Sequence, residues 1–194
     1  MSNPSFHALV TEIRTCHICA AELPLGPRPV IQVNPAAKIL IAGQAPGRKV
    51  HETGLPFNDA SGDRLRDWMG VGRETFYDAH RIAIVPMGFC YPGTGKSGDL
   101  PPRTECALHW RKSLMERLEA VQFTLVIGQY AMDWHLGERR KKTVTANVEA
   151  WKEFWPDKIV LPHPSPRNNR WLRNNPWFEE DVLPHLKKRI QDLI

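Results

Sequence analysis

The chain has 194 residues, with 26 lysines and arginines against 21 aspartates and glutamates, a formal charge of +5 and a pI of about 9.2. This length suffices for one domain with a buried core and is short for two, so we expect a single domain over residues 1–194. The modest positive charge permits a polyanionic partner without requiring one. No apolar run approaches the roughly 20 residues that a membrane helix needs, which argues against a membrane protein.

The opening residues carry no signal for secretion. The stretch MSNPSFHALV lacks a basic segment followed by an apolar one, so no signal peptide is predicted. We therefore expect a soluble, cytoplasmic chain. In that compartment the four cysteines serve as thiols or ligands more often than as disulfides.

The apolar pattern predicts strands that alternate with helices along the chain. An amphipathic helix is predicted over residues 5–15, directly before a Cys-x-x-Cys sequence. Apolar runs typical of buried strands cover 38–42, 81–87, 123–127 and 158–161. Helices are predicted around 65–69, over 104–120, after Gly128 and over 176–193, and residues 88–103 are predicted to form a loop rich in Gly and Pro. This order indicates an α/β fold, a three-layer α/β/α sandwich around a mostly parallel four-stranded sheet.

A first candidate site follows the first predicted strand. The loop Gly43-Gln44-Ala45-Pro46-Gly47 comes directly after Ile39-Leu40-Ile41-Ala42, and ligands in such sheets lie just beyond the carboxyl ends of strands. Its two glycines let the backbone approach a ligand where a Cβ would clash. Phe57 comes shortly after, behind a Gly-Leu-Pro turn. From the residues alone, an ordinary strand-to-helix loop with Phe57 in the core explains the same pattern.

A second candidate site follows the last predicted strand. Leu161 leads into Pro162-His163-Pro164-Ser165-Pro166. Prolines fix the backbone on both sides of His163 and so restrict where its ring can point. A Pro-rich turn with a surface histidine is the alternative explanation.

The four cysteines form one close pair and one open pair. Cys16 and Cys19 are separated by two residues, and Cys90 lies well before Cys106. A Cys-x-x-Cys sequence alone is compatible with a redox pair, a metal site or chance. A zinc ribbon usually has two close pairs, and the second pair here is too open.

The two candidate sites together resemble a known family. GQAPG followed by TGLPFNDASG is similar to the first motif of the uracil-DNA glycosylase superfamily, and most similar to its iron–sulfur branch, the fourth family, whose pattern reads GEAPG…TGxPFxGxAG. HPSP resembles the other signature of the superfamily. The resemblance implies a monofunctional DNA-repair enzyme, monomeric and nucleoid-associated when bound to DNA, that flips uracil out of single- or double-stranded DNA and releases it by hydrolysis.

The resemblance also implies roles for particular residues. His163 would donate a hydrogen bond to the base carbonyl on which negative charge grows, and Phe57 would stack on the flipped base. The implied substrate-binding loop is Gly43, Gln44, Ala45, Pro46 and Gly47. The implied DNA contacts are Ser165, Arg167, Asn168 and Arg170, with Arg167, Trp171 or Leu172 filling the gap that the base leaves. The implied ligands of a structural [4Fe–4S] cluster are Cys16, Cys19, Cys90 and Cys106.

Four positions leave the chemistry open, and one of them, Ala45, is shared with the fourth family. Gln44 replaces the usual Glu, and Ala45 stands where other branches carry a catalytic Asp or Asn, so the group that activates water must lie elsewhere. His51 replaces a carboxylate; it is a candidate to orient water or contact a phosphate, and equally a solvated loop residue. Pro86 stands where relatives carry an Asn that reads the base. Uracil is the expected base, with hypoxanthine or another deaminated base as the alternative.

Two further alternatives follow from these departures. The chain could be a damage-binding protein that keeps the fold without catalysis, which the residues at Gln44, Ala45 and Pro86 favour. It could also be a relative that traps the abasic sugar covalently on a histidine, with His51 as the candidate. Turnover on a modified oligonucleotide separates the enzyme from the binder.

Overall fold

The computed structural model describes residues 5–96 and 98–194. The first four residues of the stretch examined for a signal peptide lie outside this part of the chain. The strands are β1 (Ile39–Ala42), β2 (Ile82–Ile84), β3 (Thr94–Gly95), β4 (Gly98–Asp99), β5 (Phe123–Ile127) and β6 (Lys158–Leu161). The α-helices are α1 (Phe6–Arg14), α2 (Arg48–Thr53), α3 (Ala60–Met69), α4 (Arg73–Tyr77), α5 (Thr104–Cys106), α6 (Lys112–Met115), α7 (Gln129–His135), α8 (Val144–Glu149), α9 (Asn169–Asn174) and α10 (Leu183–Gln191).

Short turns of other helical types complete these elements. Two π-helical stretches, Ala107–Arg111 and Phe178–Val182, lead into α6 and α10. The 3₁₀ turns are Ala20–Glu22, Gly137–Arg139, Trp151–Phe154 and Pro166–Asn168. The segment from α5 to α6 is therefore continuous helix with a π-helical middle.

Four strands form the central sheet in the order β2-β1-β5-β6, and every neighbouring pair is parallel. Ile39 of β1 pairs with Ile82 of β2 on one side and with Phe123 of β5 on the other. Because all four strands run the same way, the loops after β1 and β6 leave the same edge of the sheet. The strands β3 and β4 form a separate small antiparallel hairpin.

Alternation along β1 and β2 divides the core between the two faces of the sheet. Ile39 and Ile41 pack with the larger core, which includes buried residues of α3, α7 and α10. Leu40 packs on the opposite face with residues of α1 and of the helical segment that follows Thr104. Since successive strand residues point to opposite faces, this alternation gives the helical layer on each side. The predicted α/β sandwich with a parallel four-stranded sheet is confirmed.

The structure also refines several expected elements. Ser5 caps α1 by accepting a hydrogen bond from the Ala8 amide at 3.2 Å. The α-helical part of the predicted 104–120 helix ends at Met115, and the predicted 88–103 loop contains the β3–β4 hairpin. No helix within the described ranges is long and apolar enough to span a bilayer. That residues 1–194 form one domain stays a prediction.

Candidate active site

A cavity of about 520 Å³ opens where the loops after β1 and β6 meet. Its lining includes every predicted substrate-binding residue, namely Gly43, Gln44, Ala45, Pro46, Gly47 and Phe57. It also includes His163 and three of the predicted DNA contacts, Ser165, Arg167 and Asn168. The two motifs, far apart in the chain, therefore share one site.

The first-motif loop is held by the segment that follows β2. The carbonyl of Gly43 accepts a hydrogen bond from the Met87 amide, and that of Gln44 accepts one from the Gly88 amide, both at 2.9 Å. With these carbonyls engaged, the loop keeps a fixed shape at the strand end. The segment after Gly47, predicted as loop, is the helix α2, and Gly54 caps its carboxyl end in the left-handed conformation (φ 70°).

Phe57 is held in an uncommon backbone conformation. Its φ of 52° is the single positive value at a non-glycine position among the described residues, and such a conformation persists only where its surroundings impose it. Its carbonyl accepts hydrogen bonds from Arg66 Nη1 and the Tyr77 hydroxyl, each at 3.4 Å. The ring then lies against Gly43, where an added Cβ would be 3.4 Å from the ring edge. Phe57 is thus fixed as a wall of the cavity.

Gly62 is the residue that permits this placement. A Cβ at Gly62 would lie 1.7 Å from the Phe57 carbonyl oxygen, so Gly62→Ala forces that carbonyl to move. We expect the substitution to lower the free energy of unfolding by about 2 kcal/mol, as overpacking does, and to weaken binding of uracil-containing DNA, the substrate that the resemblance implies. Urea unfolding and oligonucleotide binding measure the two effects.

Gly72→Ala is the matched control for this prediction. An added Cβ at Gly72 would meet no atom within 4 Å, and like Gly62 the residue lies at a helix amino end. Equal stability of the two variants would contradict the role assigned to Gly62.

The second-motif loop is cross-linked by side-chain hydrogen bonds. Asn168 Nδ2 donates to the His163 carbonyl at 2.7 Å. Arg64 of α3 donates to the Ser165 carbonyl at 3.0 Å and to Asn169 Oδ1 at 2.7 Å. Arg64 therefore joins the helix that follows the first motif to the loop of the second. Asn168, expected to contact DNA, here orients the backbone of His163.

His163 faces two carboxylates across the cavity. Burial lowers the pKa of His163, and the negative charges of Asp59 and Asp99 oppose that shift. Both carboxylates line the cavity, and each has an Oδ2 within 4 Å of the position that a Gly47 side chain would occupy. The imidazole is therefore neutral at neutral pH and can donate a hydrogen bond from one ring nitrogen.

Asp59 and Asp99 were not identified from the sequence. Asp59 begins α3, where its Oδ1 accepts a hydrogen bond from the Gly62 amide at 2.9 Å, so it reads as a helix cap. Its position inside the first motif was the available signal. Asp99 lies on β4, and its place beside His163 depends on a hairpin that the Gly- and Pro-rich composition did not predict.

The family model of the uracil DNA glycosylase superfamily matches residues 30–187. The chain belongs to this superfamily. A solution NMR structure from Methanosarcina acetivorans, provisionally described as a uracil DNA glycosylase, shares 17% sequence identity over 81% of this chain and 95% of that chain, with a TM-score of 0.45.

Two residues expected in the site of this superfamily member lie outside the cavity. His51 is on α2; its neighbour Val50 lines the cavity, whereas the His51 ring lies 6.1 Å from the ring of Tyr91. Arg170 is exposed on α9. The water-orienting role of His51 stays a prediction, and the carboxylates of Asp59 and Asp99 are better placed for it.

The candidates for filling the gap in DNA also differ in their surroundings. Trp171 Nε1 donates to Thr145 Oγ1 at 2.8 Å, and its ring packs against Trp177 and Phe178. Arg167 lies at the cavity, with Nη1 2.2 Å from the position of a Gly98 Cβ. Trp171 is therefore engaged in packing, whereas Arg167 lines the cavity.

The four cysteines of this superfamily member share one neighbourhood. Burial, together with the charges of Cys106, Cys19 and Cys16, raises the pKa of Cys90 to about 12. Within residues 5–96 and 98–194, no group of three or more His, Cys, Asp or Glu is arranged around a metal position. Cysteine thiolates are the ligands that iron–sulfur clusters use, and N–H groups already point at two of the four sulfurs. These bonds run from the Phe89 amide to Cys106 Sγ (3.5 Å) and from Trp110 Nε1 to Cys16 Sγ (3.3 Å).

Proposed function

We propose that this chain is a monofunctional DNA glycosylase that flips uracil out of DNA and hydrolyses its N-glycosidic bond. The observation that carries the proposal is the convergence of His163, Phe57 and two carboxylates on one cavity at the sheet edge. A cavity of about 520 Å³ lies in the size range of small-ligand sites. Superfamily membership supplies DNA as the substrate.

The chemistry follows from charge. As the bond between the sugar C1′ and the base nitrogen breaks, its electron pair moves to the base and the sugar becomes cation-like. A neutral His163 donates a hydrogen bond to the base carbonyl that gains this negative charge. Asp59 and Asp99 stabilise the positive sugar, and one of them accepts the proton of the attacking water. Phe57 stacks on the base, and the Ser165 hydroxyl contacts a phosphate.

The proposal does not require a nucleophilic amine. A glycosylase that also cuts the strand forms a covalent bond between an amine and the sugar. Lysine is absent from both motif loops, Gly43–Gly47 and His163–Asn168. The product is therefore an abasic site in an intact strand.

We propose that the protein acts as a monomer in the cytoplasm and is associated with the nucleoid when bound to DNA.

Single-turnover release from oligonucleotides carrying uracil, hypoxanthine or a thymine mismatch tests this function. We expect uracil release, strand scission only after alkali, and slower or no release of the other bases. Binding without release of any base would overturn the enzyme and leave a damage-binding protein. An adduct that survives denaturation would indicate the covalent alternative.

We propose further that Cys16, Cys19, Cys90 and Cys106 hold a [4Fe–4S] cluster with a structural role. Bound there, the cluster would supply a cross-link between the end of α1 and the segment from Cys90 to Cys106. None of the four cysteines lines the cavity, which supports a role outside the chemical step.

Iron and sulfide analysis after anaerobic purification tests the cluster. We expect bound iron and a visible absorbance band, with Cys90→Ser losing both and lowering Tm by roughly 5–10 °C. Ser113→Ala, on α6, leaves all four thiols in place and is the control. Protein that is colourless and iron-free, and stays so after anaerobic reconstitution, would exclude the cluster.

A further inference from the structure

Arg111 is a fully buried cation that no carboxylate neutralises in the described parts of the chain. Its exposed fraction is 0%, and none of the ion pairs formed by described residues includes it. Burial lowers the pKa of Arg111 to about 9, so it is charged at neutral pH. Burying an unpaired charge destabilises a protein unless dense hydrogen bonding compensates it, which directs attention to what Arg111 binds.

The guanidinium binds three acceptors. Nη1 donates to the Val85 carbonyl at 3.1 Å and to the Pro86 carbonyl at 2.8 Å. Nη2 lies 2.6 Å from His135 Nε2. Burial, followed by the charges of Arg111 and Lys158, lowers the pKa of His135 to about 3. His135 is therefore neutral and accepts the hydrogen bond at Nε2.

The bound carbonyls belong to the segment that supports the first-motif loop. Met87 and Gly88 donate their amides to Gly43 and Gln44, as described above, whereas Arg111 holds the carbonyl side of the same segment. Pro86 lines the cavity and Arg111 does not. The Pro86 carbonyl therefore points into the protein, and the wall of the cavity at this position is the apolar pyrrolidine ring.

We propose that Arg111 is a positioning residue that fixes the carbonyls of Val85 and Pro86. The wall of the base pocket formed by Pro86 then keeps one shape, and the pocket selects the base by its shape. The inference rests on the proposed function and extends it to base selectivity. A wall without a hydrogen-bonding group distinguishes bases by size, and such pockets separate ligands by about tenfold or more per added group. Loss of Arg111 frees two carbonyls and lets the wall move.

The test compares binding to DNA that carries non-hydrolysable 2′-fluoro nucleotides of uracil or hypoxanthine, so that turnover is not required. The variants are Arg111→Lys and His135→Gln. Lysine keeps the positive charge but lacks the planar guanidinium that binds both carbonyls, and glutamine keeps a hydrogen-bond acceptor for Arg111 Nη2. We expect Arg111→Lys to change the ratio of the two dissociation constants by about fivefold or more, and His135→Gln to change it less. Asn147→Ala is the control, since Asn147 is buried, holds the backbone of Lys141 and Thr143, and does not line the cavity.

The outcomes separate the two levels of the proposal. A wild-type protein that binds uracil and hypoxanthine DNA no better than unmodified DNA overturns the proposed function and the inference together. If the wild-type protein binds uracil DNA and hypoxanthine DNA with different dissociation constants, and Arg111→Lys gives the same ratio of the two constants, the inference alone is overturned. Should Arg111→Lys not fold, Arg111→Met, which removes the buried charge together with both carbonyl bonds, takes its place, and an unchanged ratio in that variant gives the same negative result.

Discussion

Replacement of His163 by alanine is expected to slow single-turnover uracil release by roughly 100- to 1,000-fold, the range measured for loss of one oxyanion donor. The hydrogen bond strengthens only as charge moves onto the base, so the affinity for uracil DNA should change little. Rapid-quench kinetics and equilibrium binding separate the two quantities. The ring lies in a loop fixed through its backbone by Asn168, so the variant should fold.

His80→Ala is the matched control for this variant. His80 is exposed and pairs with Asp78 at 3.5 Å, and it does not line the cavity. Its loss should leave the rate unchanged. A His163→Ala enzyme within threefold of wild type would remove His163 from the chemical step.

The pH profile gives an independent reading of His163. Because burial lowers its pKa, the neutral ring persists below the ordinary value of about 6.5, and the rate should stay flat across neutral pH before it falls in acid. The same shift makes the folded state resist protonation, so this residue's contribution to stability declines as pH drops below that ordinary value. If the rate begins to fall on acidification while the pH is still above 7, a different group is titrating.

The double substitution Asp59→Asn with Asp99→Asn is expected to slow the chemical step by about 100-fold or more, as loss of a general base does. Asparagine keeps the helix cap that Asp59 gives to Gly62, so the charge is removed without loss of that hydrogen bond. DNA binding should tighten, because two negative charges leave a surface that approaches phosphates. A lower rate with higher affinity is the signature to measure.

The single substitutions assign the roles. Asp59 Oδ1 accepts a hydrogen bond from the Gly62 amide, whereas neither carboxylate oxygen of Asp99 has a hydrogen-bond partner among the described side chains and amides. We therefore expect Asp99→Asn to slow the chemical step more than Asp59→Asn does. Asp192→Asn, at the exposed end of α10, is the charge control. If the double substitution leaves the activity unchanged, His51 becomes the candidate for the group that activates water.

Much of the frame was predictable because local patterns agree with the tertiary structure. The runs at 123–127 and 158–161 coincide with β5 and β6, since strands buried on both faces read as continuous apolar segments. The two motif loops were located by the same rule, as each directly follows such a strand. Their convergence was therefore expected from strand direction alone.

Other parts of the site depend on contacts that local sequence does not encode. The segment after Gly47 forms α2 although it reads as a charged loop, and His51 thereby turns towards Tyr91. Asp99 reaches the cavity through a two-residue hairpin strand. Arg111 looks like a surface residue in a helical pattern, and its burial becomes visible only once α7 brings His135 against it.

The strand order has a consequence for when the cavity forms during protein synthesis. The loops that build the cavity hang from β1 and β6, and these strands are joined in the sheet only through β5. Sheets made of such distant pairings close late and slowly compared with local hairpins. A nascent chain that has not yet emerged beyond Leu161 holds the first loop without its partner. The cavity should therefore form in one step, once β6 and the loop that follows it have joined the sheet.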